Sequence, residues 1–369
     1  MATEGEGEAA METWRERASA APMTAGLAVV CVIAFVATLG RCASLVTDPG
    51  AMLVESAWSL GSCRPALVSV GGLELARVWV DGEWWRVATT GLLHGSWVHL
   101  ILNTWSLVAV GEWAERAWGT ARLGTLFALS SVGGCLASLA WAEAPMVVGA
   151  SAGIFGVAGA LLVARVAGRG AIREELAPIS VGMLGGCLGA LLLIGYFVPL
   201  IAQAGHIGGL VVGAVLGLAW GRSEGRAGSL GVIAVGGLVA GLVSMGTAPV
   251  ARGGFDEFVG YRLLEREEYA EAVAALDRAL VARRGDAALE NAVAYALAEA
   301  NIELDRARVL VGAALEAEPN NADFLDTLGW IECRRGNVEA GLAALDQAAE
   351  AATESIPEID QHRAACSGP

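Results

Sequence analysis

Residues 149–164 read GASAGIFGVAGALLVA, an uncharged stretch of Gly, Ala and larger apolar residues in which Ser151 carries the one hydroxyl group. With the two valines before it, the run is as long as the roughly 18 apolar residues that mark a membrane-spanning helix. A polar residue inside such a run is a candidate for function. We therefore interpret residues 147–164 as a membrane span with a functional serine near its start.

Composition extends this interpretation to most of the chain. Of the 369 residues 55% are hydrophobic and 17% are charged, and the mean hydropathy is +0.55, which excludes a single soluble domain. Seven apolar windows are long enough to cross a membrane. They cover residues 20–40, 94–111, 123–142, 147–164, 177–200, 204–221 and 228–250. The prediction is an all-α fold with a seven-span membrane domain at 20–250.

Arginine placement predicts the orientation of these spans. The short connections after spans two, four and six contain arginine, whereas those after spans three and five contain none. The arginines are Arg116, Arg122, Arg165, Arg169, Arg173, Arg222 and Arg226. The positive-inside rule then places residues 1–19 in the cytoplasm and the C-terminus outside a bacterial inner membrane. The tryptophans of the long connection 41–93 predict a loop at the membrane interface.

The last third of the chain has a different character. Residues 1–250 carry 16 acidic and 13 basic residues, whereas residues 251–369 carry 23 and 11, a net charge of −12. Similar Ala-rich stretches begin at Tyr269, Leu304 and Val338, spacings of 35 and 34 residues. This period resembles the tetratricopeptide repeat, and a generic array of helical hairpins is the alternative. We predict a soluble α-solenoid of about three helix pairs at 253–353, binding an unknown peptide or protein, and a tail at 354–369.

Residues 149–153 match the Gly-x-Ser-x-Gly elbow of the α/β-hydrolases, but the context of that motif is missing. An elbow requires a strand before its helix, and no Asp occurs between Asp81 and Asp256 to complete a triad. The candidate base for Ser151 is instead His206 at the start of span six, because a neutral imidazole within hydrogen-bond reach activates a serine hydroxyl.

Span two supplies candidate donors for an oxyanion. His99 and Asn103 are four residues apart, hence on one helix face, in the outer half of the span, level with Ser151 and His206. The competing interpretation is that these residues only join helices through hydrogen bonds.

These residues and their order resemble the rhomboid family of intramembrane serine proteases. The similarity covers about residues 20–221, and the predicted seventh span after them would match the family's arrangement of a six-helix core plus one span. It rests on Trp85 and Arg86 in the first loop, on His94, His99 and Asn103 in span two, and on Glu115 after it. It further rests on Gly149, Ser151 and Phe155 in span four and on His206, Gly209 and Gly213 in span six. Two departures are Ala152, where the family usually has Gly, and Gly205, where it has Ala.

The resemblance implies that Ser151 is the nucleophile and His206 the general base of a dyad. His99, Asn103 and the Ser151 backbone N–H would form the oxyanion hole, His94 would order water or the loop, and Phe155 would pack against His206. The substrates would be transmembrane proteins within the lipid bilayer. We expect no cofactor, no metal site and no nucleic-acid partner.

Two functions other than proteolysis, and one possible disulfide, are left open by the sequence. The first rival is an inactive rhomboid-like scaffold that binds transmembrane helices, and a weaker one is a transporter, for which midplane sites and inverted repeats are typical. Cys42 and Cys63 both fall on the predicted outer side and are able to form a disulfide there, a pairing that their spacing leaves undecided.

Overall fold

The computed structural model describes residues 19–59, 61–142, 144–197, 202–222, 234, 236–241, 243–244, 246, 252–353 and 356–368. The chain divides into two compact units, Met1–Val250 and Ala251–Pro369. The predicted cytoplasmic segment 1–19, apart from Ser19, and most of the predicted seventh span 228–250 lie outside the described residues.

The first unit is nearly all-α, as predicted. Its helices are α1 (Pro22–Ala43), α2 (Pro49–Glu55), α3 (Arg64–Ser69), α4 (Leu75–Asp81), α5 (Arg86–Thr89), α6 (Trp97–Trp118), α7 (Thr120–Trp141), α8 (Ser151–Ala167), α9 (Gly170–Glu175), α10 (Val181–Phe197) and α11 (Gln203–Arg222). Among the described helices, α1, α7 and α11 are long and apolar enough to cross a membrane, while α8 and α10 are shorter apolar helices.

One small sheet departs from the all-α expectation. Strand β1 (Leu73–Glu74) pairs antiparallel with β2 (Met146–Val147), with Leu73 opposite Val147. A single-turn 3₁₀ helix, Thr90–Leu92, lies between α5 and α6. The sheet therefore ties the loop before α6 to the residues that directly precede α8.

Helices α8 and α11 pack backbone to backbone because glycines recur every fourth residue on α11. A Cβ atom at three of these glycines would clash with a carbonyl oxygen of α8. The opposed pairs are Gly209 with Ala152, Gly213 with Gly156, and Gly217 with Ala160. Small residues allow this close approach in membrane helices, where apolar burial gives no preference between lipid and protein neighbours.

Helix α6 runs seven residues beyond the apolar window that predicts it, to Trp118. The Glu115 carboxylate in this extension accepts hydrogen bonds from the backbone N–H groups of Met23, at 2.9 Å, and Thr24, at 3.0 Å, and from the Thr24 hydroxyl, at 2.9 Å. These N–H groups belong to the first turn of α1, where a negative charge is favourable. The glutamate thus caps α1 and joins it to α6.

The connection 41–93 is more ordered than an interfacial loop requires, since it contains α2 to α5. The Arg86 side chain is buried at its centre and donates from Nη1 to the carbonyl oxygens of Val68, at 2.6 Å, and Gly72, at 2.8 Å. Cys42 and Cys63 form a disulfide with their Cα atoms 5.2 Å apart. The pairing that the sequence leaves undecided is therefore present.

The second unit is a series of antiparallel helices in which neighbours along the chain pack together. They are α12 (Arg252–Glu265), α13 (Tyr269–Ala282), α14 (Ala287–Ala300), α15 (Leu304–Ala317), α16 (Ala322–Arg334), α17 (Val338–Ala351) and α18 (Pro357–Ser367). Helix α18 occupies the segment expected as a tail. It is ordered because Ile359, His362 and Cys366 are buried, and Cys366 forms a disulfide with Cys333, a pairing for which the sequence held no signal.

Candidate active site

The side chains of Ser151 and His206 meet where α8 begins and α11 has made its first turn. The Nε2 atom of His206 lies 2.9 Å from the Ser151 Oγ atom, within hydrogen-bond distance. Both residues are half-buried. The close packing of α8 on α11 brings them together across 55 residues of sequence. For Nε2 to accept the hydroxyl proton, the neutral ring carries its own proton on Nδ1.

A glycine turn presents Ser151. Gly149 has a φ of +131°, a backbone conformation that residues with a Cβ atom rarely adopt. Its N–H group donates to the Thr90 carbonyl oxygen at 3.1 Å. The Thr90 hydroxyl in turn donates to the Val147 carbonyl oxygen at 2.5 Å and accepts from the Leu73 N–H group at 3.2 Å. Thr90 therefore fixes the segment that leads into the serine.

The structure brings His99 and Asn103 to this turn. A Cβ atom at Gly149 would lie 2.9 Å from Nε2 of His99 and 3.6 Å from Nδ2 of Asn103. The Asn103 side chain is buried, and its Nδ2 atom has no hydrogen-bond partner among the described residues. Two side chains with N–H groups thus face the backbone beside Ser151, an arrangement able to stabilise an oxyanion formed there.

Phe155 stacks on the His206 ring, with ring centroids 4.3 Å apart and an interplanar angle of 9°. The stack restrains the orientation of the imidazole, because both rings belong to helices and Phe155 is buried. His206 Nδ1 is buried and has no hydrogen-bond partner among the described residues. Among the described residues, the Ser151–His206 pair therefore has no acidic third member hydrogen-bonded to the imidazole.

Four other residues predicted from the resemblance lie at different positions relative to the Ser151–His206 pair. His94 is fully buried and its ring lies edge-on to that of His99, with centroids 5.1 Å apart, so it belongs to the same cluster. Trp85 lies under the Arg86 guanidinium, with 4.6 Å from Cζ to the ring centroid, and both order the first loop. Glu115 is twelve residues beyond Asn103, about 18 Å along the helix, and caps α1.

The two departures from the rhomboid pattern are accommodated by neighbours on α7. A Cβ atom at Gly134 would lie 2.5 Å from the Ala152 methyl group, so the methyl group fits because Gly134 lacks one. A Cβ atom at Gly205 would lie 3.0 Å from the Ser138 Oγ atom, tighter than an ordinary contact. The residues at 152 and 205 are thus matched to α7 in this chain.

Thr90 and Ser96 help to position the candidate site, and neither was predicted from the sequence. Thr90, described above, has no local signal, because its partners lie 17 and 57 residues away. Ser96 caps α6 by accepting a hydrogen bond from the His99 N–H group at 3.0 Å, which sets the first turn that carries His99. A serine directly before an apolar run is a known helix-start signal and was available in the sequence.

Among the described residues no group of three His, Cys, Asp or Glu side chains has the arrangement of a metal site.

Comparison with known proteins is consistent with this geometry. Residues 81–223 match the Rhomboid domain, a segment that contains α8, α11 and the residues gathered around Ser151. The chain is 35% identical over 156 residues to the Rhomboid protease GluP of Bacillus subtilis, covering 41% of this chain and 30% of that protein. It is 34% identical over 160 residues to RHOMBOID-like protein 5 of Arabidopsis thaliana, covering 43% and 50%.

A third relative is named as an inactive protein. Inactive RHOMBOID-like protein 8 of Arabidopsis thaliana is 28% identical over 152 residues, covering 41% of this chain and 42% of that protein. The chain thus spans half or less of the length of each of these relatives. The domain match and the relatives support the rhomboid family, and with the apolar helices they support an integral membrane protein.

Proposed function

We propose that this protein is an intramembrane serine endopeptidase that cleaves transmembrane proteins by a Ser151–His206 dyad. The observation that carries the proposal is the 2.9 Å separation of Ser151 Oγ and His206 Nε2. It is supported by the His99 and Asn103 side chains beside Gly149 and by a relative named as a protease.

In the proposed reaction the Ser151 Oγ atom attacks the scissile carbonyl carbon while His206 Nε2 takes the hydroxyl proton. The tetrahedral oxyanion is stabilised by the His99 ring, the Asn103 amide and the Ser151 backbone N–H group. One such donor contributes about 3 kcal/mol to the stability of the transition state. His206 then gives the proton to the leaving amine, and water releases the acyl group from Ser151 in the second half of the reaction.

The substrate must expose an extended backbone to Ser151. A transmembrane helix keeps its peptide groups in internal hydrogen bonds, so cleavage requires local unwinding. We expect preferred substrates to have small or helix-breaking residues near the outer membrane boundary, where the predicted orientation places the dyad.

We further propose that the second unit is a tetratricopeptide-like scaffold on the outer side, where it binds substrates or partners. The two disulfides support this orientation. Cys42–Cys63 and Cys333–Cys366 both fall on the predicted outer side, and disulfides persist in oxidising compartments. A chain ending at residue 250 should still cleave a small generic substrate but choose differently among native ones. Complete inactivity of a folded truncation would contradict the division of roles.

The alternative is an inactive rhomboid-like scaffold, and one relative bears such a name. That function needs neither a dyad nor oxyanion donors. Here the serine, the base and both candidate donors are present and adjacent, which favours the enzyme.

Labelling by a fluorophosphonate probe separates the two functions. The probe should label the wild-type protein in detergent and fail to label Ser151→Ala, with His206→Ala strongly reduced. Ser130→Ala is a matched control, because Ser130 is a buried serine on α7 whose hydroxyl has no partner among the described residues. Equal labelling of the wild type and Ser151→Ala would overturn the assignment.

A further inference from the structure

Three arginines lie at one end of the helix pair α8 and α11, and we call them the arginine cluster. Arg165 is in the last turn of α8, Arg169 follows the end of that helix, and Arg222 is the last residue of α11. Ser151 begins α8 and His206 is in the first turn of α11. The arginine cluster is therefore at the opposite end of the two helices from the dyad.

Backbone contacts bring the three arginines to one place. The Arg169 N–H group donates to the carbonyl oxygen of Gly221 at 2.8 Å. A Cβ atom at Gly221 would lie 3.1 Å from the Cα atom of Ala164. Arg165 directly follows Ala164, and Arg222 directly follows Gly221. The C-terminal ends of α8 and α11 thus touch, and all three arginines are at this contact.

The arginine cluster has more positive charge than its surroundings neutralise. Arg222 donates from Nε to the Ala167 carbonyl oxygen at 3.5 Å, which satisfies one backbone group at the end of α8. The C-terminal end of each helix carries about −0.5 elementary charge, so three guanidinium groups leave a surplus of about +2. Glu174 and Glu175 of α9 are exposed, and among the described residues no carboxylate forms an ion pair with the arginine cluster.

Arg165 has a buried donor that the described chain does not satisfy. Its Nε atom is buried and has no hydrogen-bond partner among the described residues. Buried polar groups of native proteins nearly always have a partner, and an unpaired donor of a charged group is strongly destabilising. A planar guanidinium fits a phosphate group with two parallel hydrogen bonds. An anion with several acceptor oxygens is therefore the partner that suits Arg165.

The position of the arginine cluster selects the source of that anion. Helix α8 has 17 residues and is about 26 Å long, slightly less than the roughly 30 Å thickness of the hydrocarbon core. Its C-terminal end therefore lies near a membrane boundary, and Arg169 and Arg222 are exposed there. Long basic side chains reach from such positions to the lipid headgroups, and basic sites between membrane helices bind anionic headgroups.

We propose that the arginine cluster binds the phosphate group of an anionic phospholipid and that the bound headgroup holds the ends of α8 and α11 together. The inference does not depend on the dyad. It also does not depend on the predicted orientation, because both leaflets contain lipid phosphates.

The test titrates the full chain in detergent with phosphatidylglycerol and counts the bound lipids by native mass spectrometry. Arg165→Gln, Arg169→Gln and Arg222→Gln should each weaken binding of the tightest lipid about fivefold, which corresponds to about 1 kcal/mol for each arginine. Wild-type affinity in all three variants would overturn the proposal.

Arg116→Gln is the matched control. Arg116 is exposed, with its guanidinium 4.2 Å from the centroid of the Trp113 ring. It lies at the same end of the first unit, since Trp118 of α6 contacts Trp220 of α11, with ring centroids 6.1 Å apart. Arg116→Gln should bind phosphatidylglycerol as the wild type does. An equal loss in this variant and in the variants of the arginine cluster would show a general charge effect and no defined site.

Two further ligands distinguish the sources of the phosphate group. Phosphatidylcholine has a phosphate but no net charge and should bind at least about tenfold more weakly than phosphatidylglycerol. Phosphatidylglycerol should raise the melting temperature of the wild type, whereas sodium phosphate at equal ionic strength should not. Equal binding of the two lipids, or an equal rise with sodium phosphate, would contradict an anionic lipid as the ligand.

Chemical modification of the unsubstituted chain provides a readout that does not depend on a variant folding. In nanodiscs of phosphatidylglycerol, phenylglyoxal should modify Arg169 and Arg222 more slowly than in nanodiscs of phosphatidylcholine, relative to Arg116 in the same sample. Equal relative rates in the two lipids would refute the site. Because none of these readouts involves proteolysis, an inactive dyad would leave the results unaffected.

Discussion

The Nε2 atom of His206 lies 2.9 Å from the Oγ atom of Ser151, and the distance between the backbones of α8 and α11 sets that separation. Gly209 is one turn beyond His206 and lies against the Ala152 carbonyl group, directly after the serine. Gly209, Gly213 and Gly217 of α11 are therefore part of the candidate site, because their lack of a side chain allows α8 to approach closely.

Widening this contact should disable the site without touching either side chain. In Gly213→Ala the new methyl group would clash with the Gly156 carbonyl oxygen and push the helices apart. A displacement of about 1 Å at reacting groups can lower a rate by roughly 100-fold. We expect kcat/KM on a model membrane substrate to fall by about that factor. Gly189→Ala on α10 is the control, because no atom lies within 4 Å of its new Cβ; equal activity of both variants would refute the packing argument.

Thr90 should act as a positioning residue for the serine turn. Thr90→Val removes the hydroxyl that joins Val147 to Leu73, so the Gly149 turn is held less firmly and kcat should fall by about tenfold, the cost of roughly 1.4 kcal/mol in the transition state. Thr90→Ser keeps the hydroxyl and should restore kcat. Thr104→Val is the control, since its hydroxyl bonds within its own helix. A purely structural role would lower the melting temperature of Thr90→Val and leave kcat unchanged.

The sequence predicts the fold best where the bilayer limits which backbone structures can form. Lipid offers no hydrogen-bond partners, so apolar windows become helices, and the windows around Ser151 and His206 have become α8 and α11. The residues of the candidate site could also be identified in the sequence, because His99 and Asn103 share a helix face and Gly149 precedes the serine.

The features that sequence reasoning missed depend on distant partners. Helix α6 extends past its apolar window because Glu115 finds the N–H groups of Met23 and Thr24, about 90 residues earlier. Helix α18 looks like a polar tail until Asp326 and Cys333 provide partners for His362 and Cys366. Hydropathy and local spacing contain no information about such pairs.

Glu115 should contribute to stability rather than to chemistry. Glu115→Ala leaves the buried N–H groups at the start of α1 without an acceptor, which costs about 1–3 kcal/mol. We expect a lower melting temperature in detergent and a near-normal rate in the fraction that remains folded. Glu174→Gln on α9 removes an exposed carboxylate and should leave the melting temperature unchanged. A normal melting temperature for Glu115→Ala would contradict the capping role.

The first loop should lose stability in acid through Glu74. Burial by itself raises the pKa of this carboxyl group, but the hydrogen bonds and charges of Arg64 and Arg77 lower it below the ordinary value of 4.5. A folded pKa below the unfolded one gives a stabilisation that is complete above pH 4.5 and is lost as the pH falls through the folded value. The difference in melting temperature between the wild type and Glu74→Gln should therefore be largest at neutral pH and shrink below pH 4.5. A difference that does not change with pH would show that Glu74 is not ionised in the folded loop.

Peptide-bond cleavage in proteoliposomes tests the central claim most directly. The purified full chain is reconstituted with a single-span substrate that has small residues near its outer boundary, and the products are identified by mass spectrometry. The dyad predicts one cleavage within or beside the span for the wild type and for Ser130→Ala, and no cleavage for Ser151→Ala or His206→Ala. Cleavage at the same bond by Ser151→Ala would contradict the account.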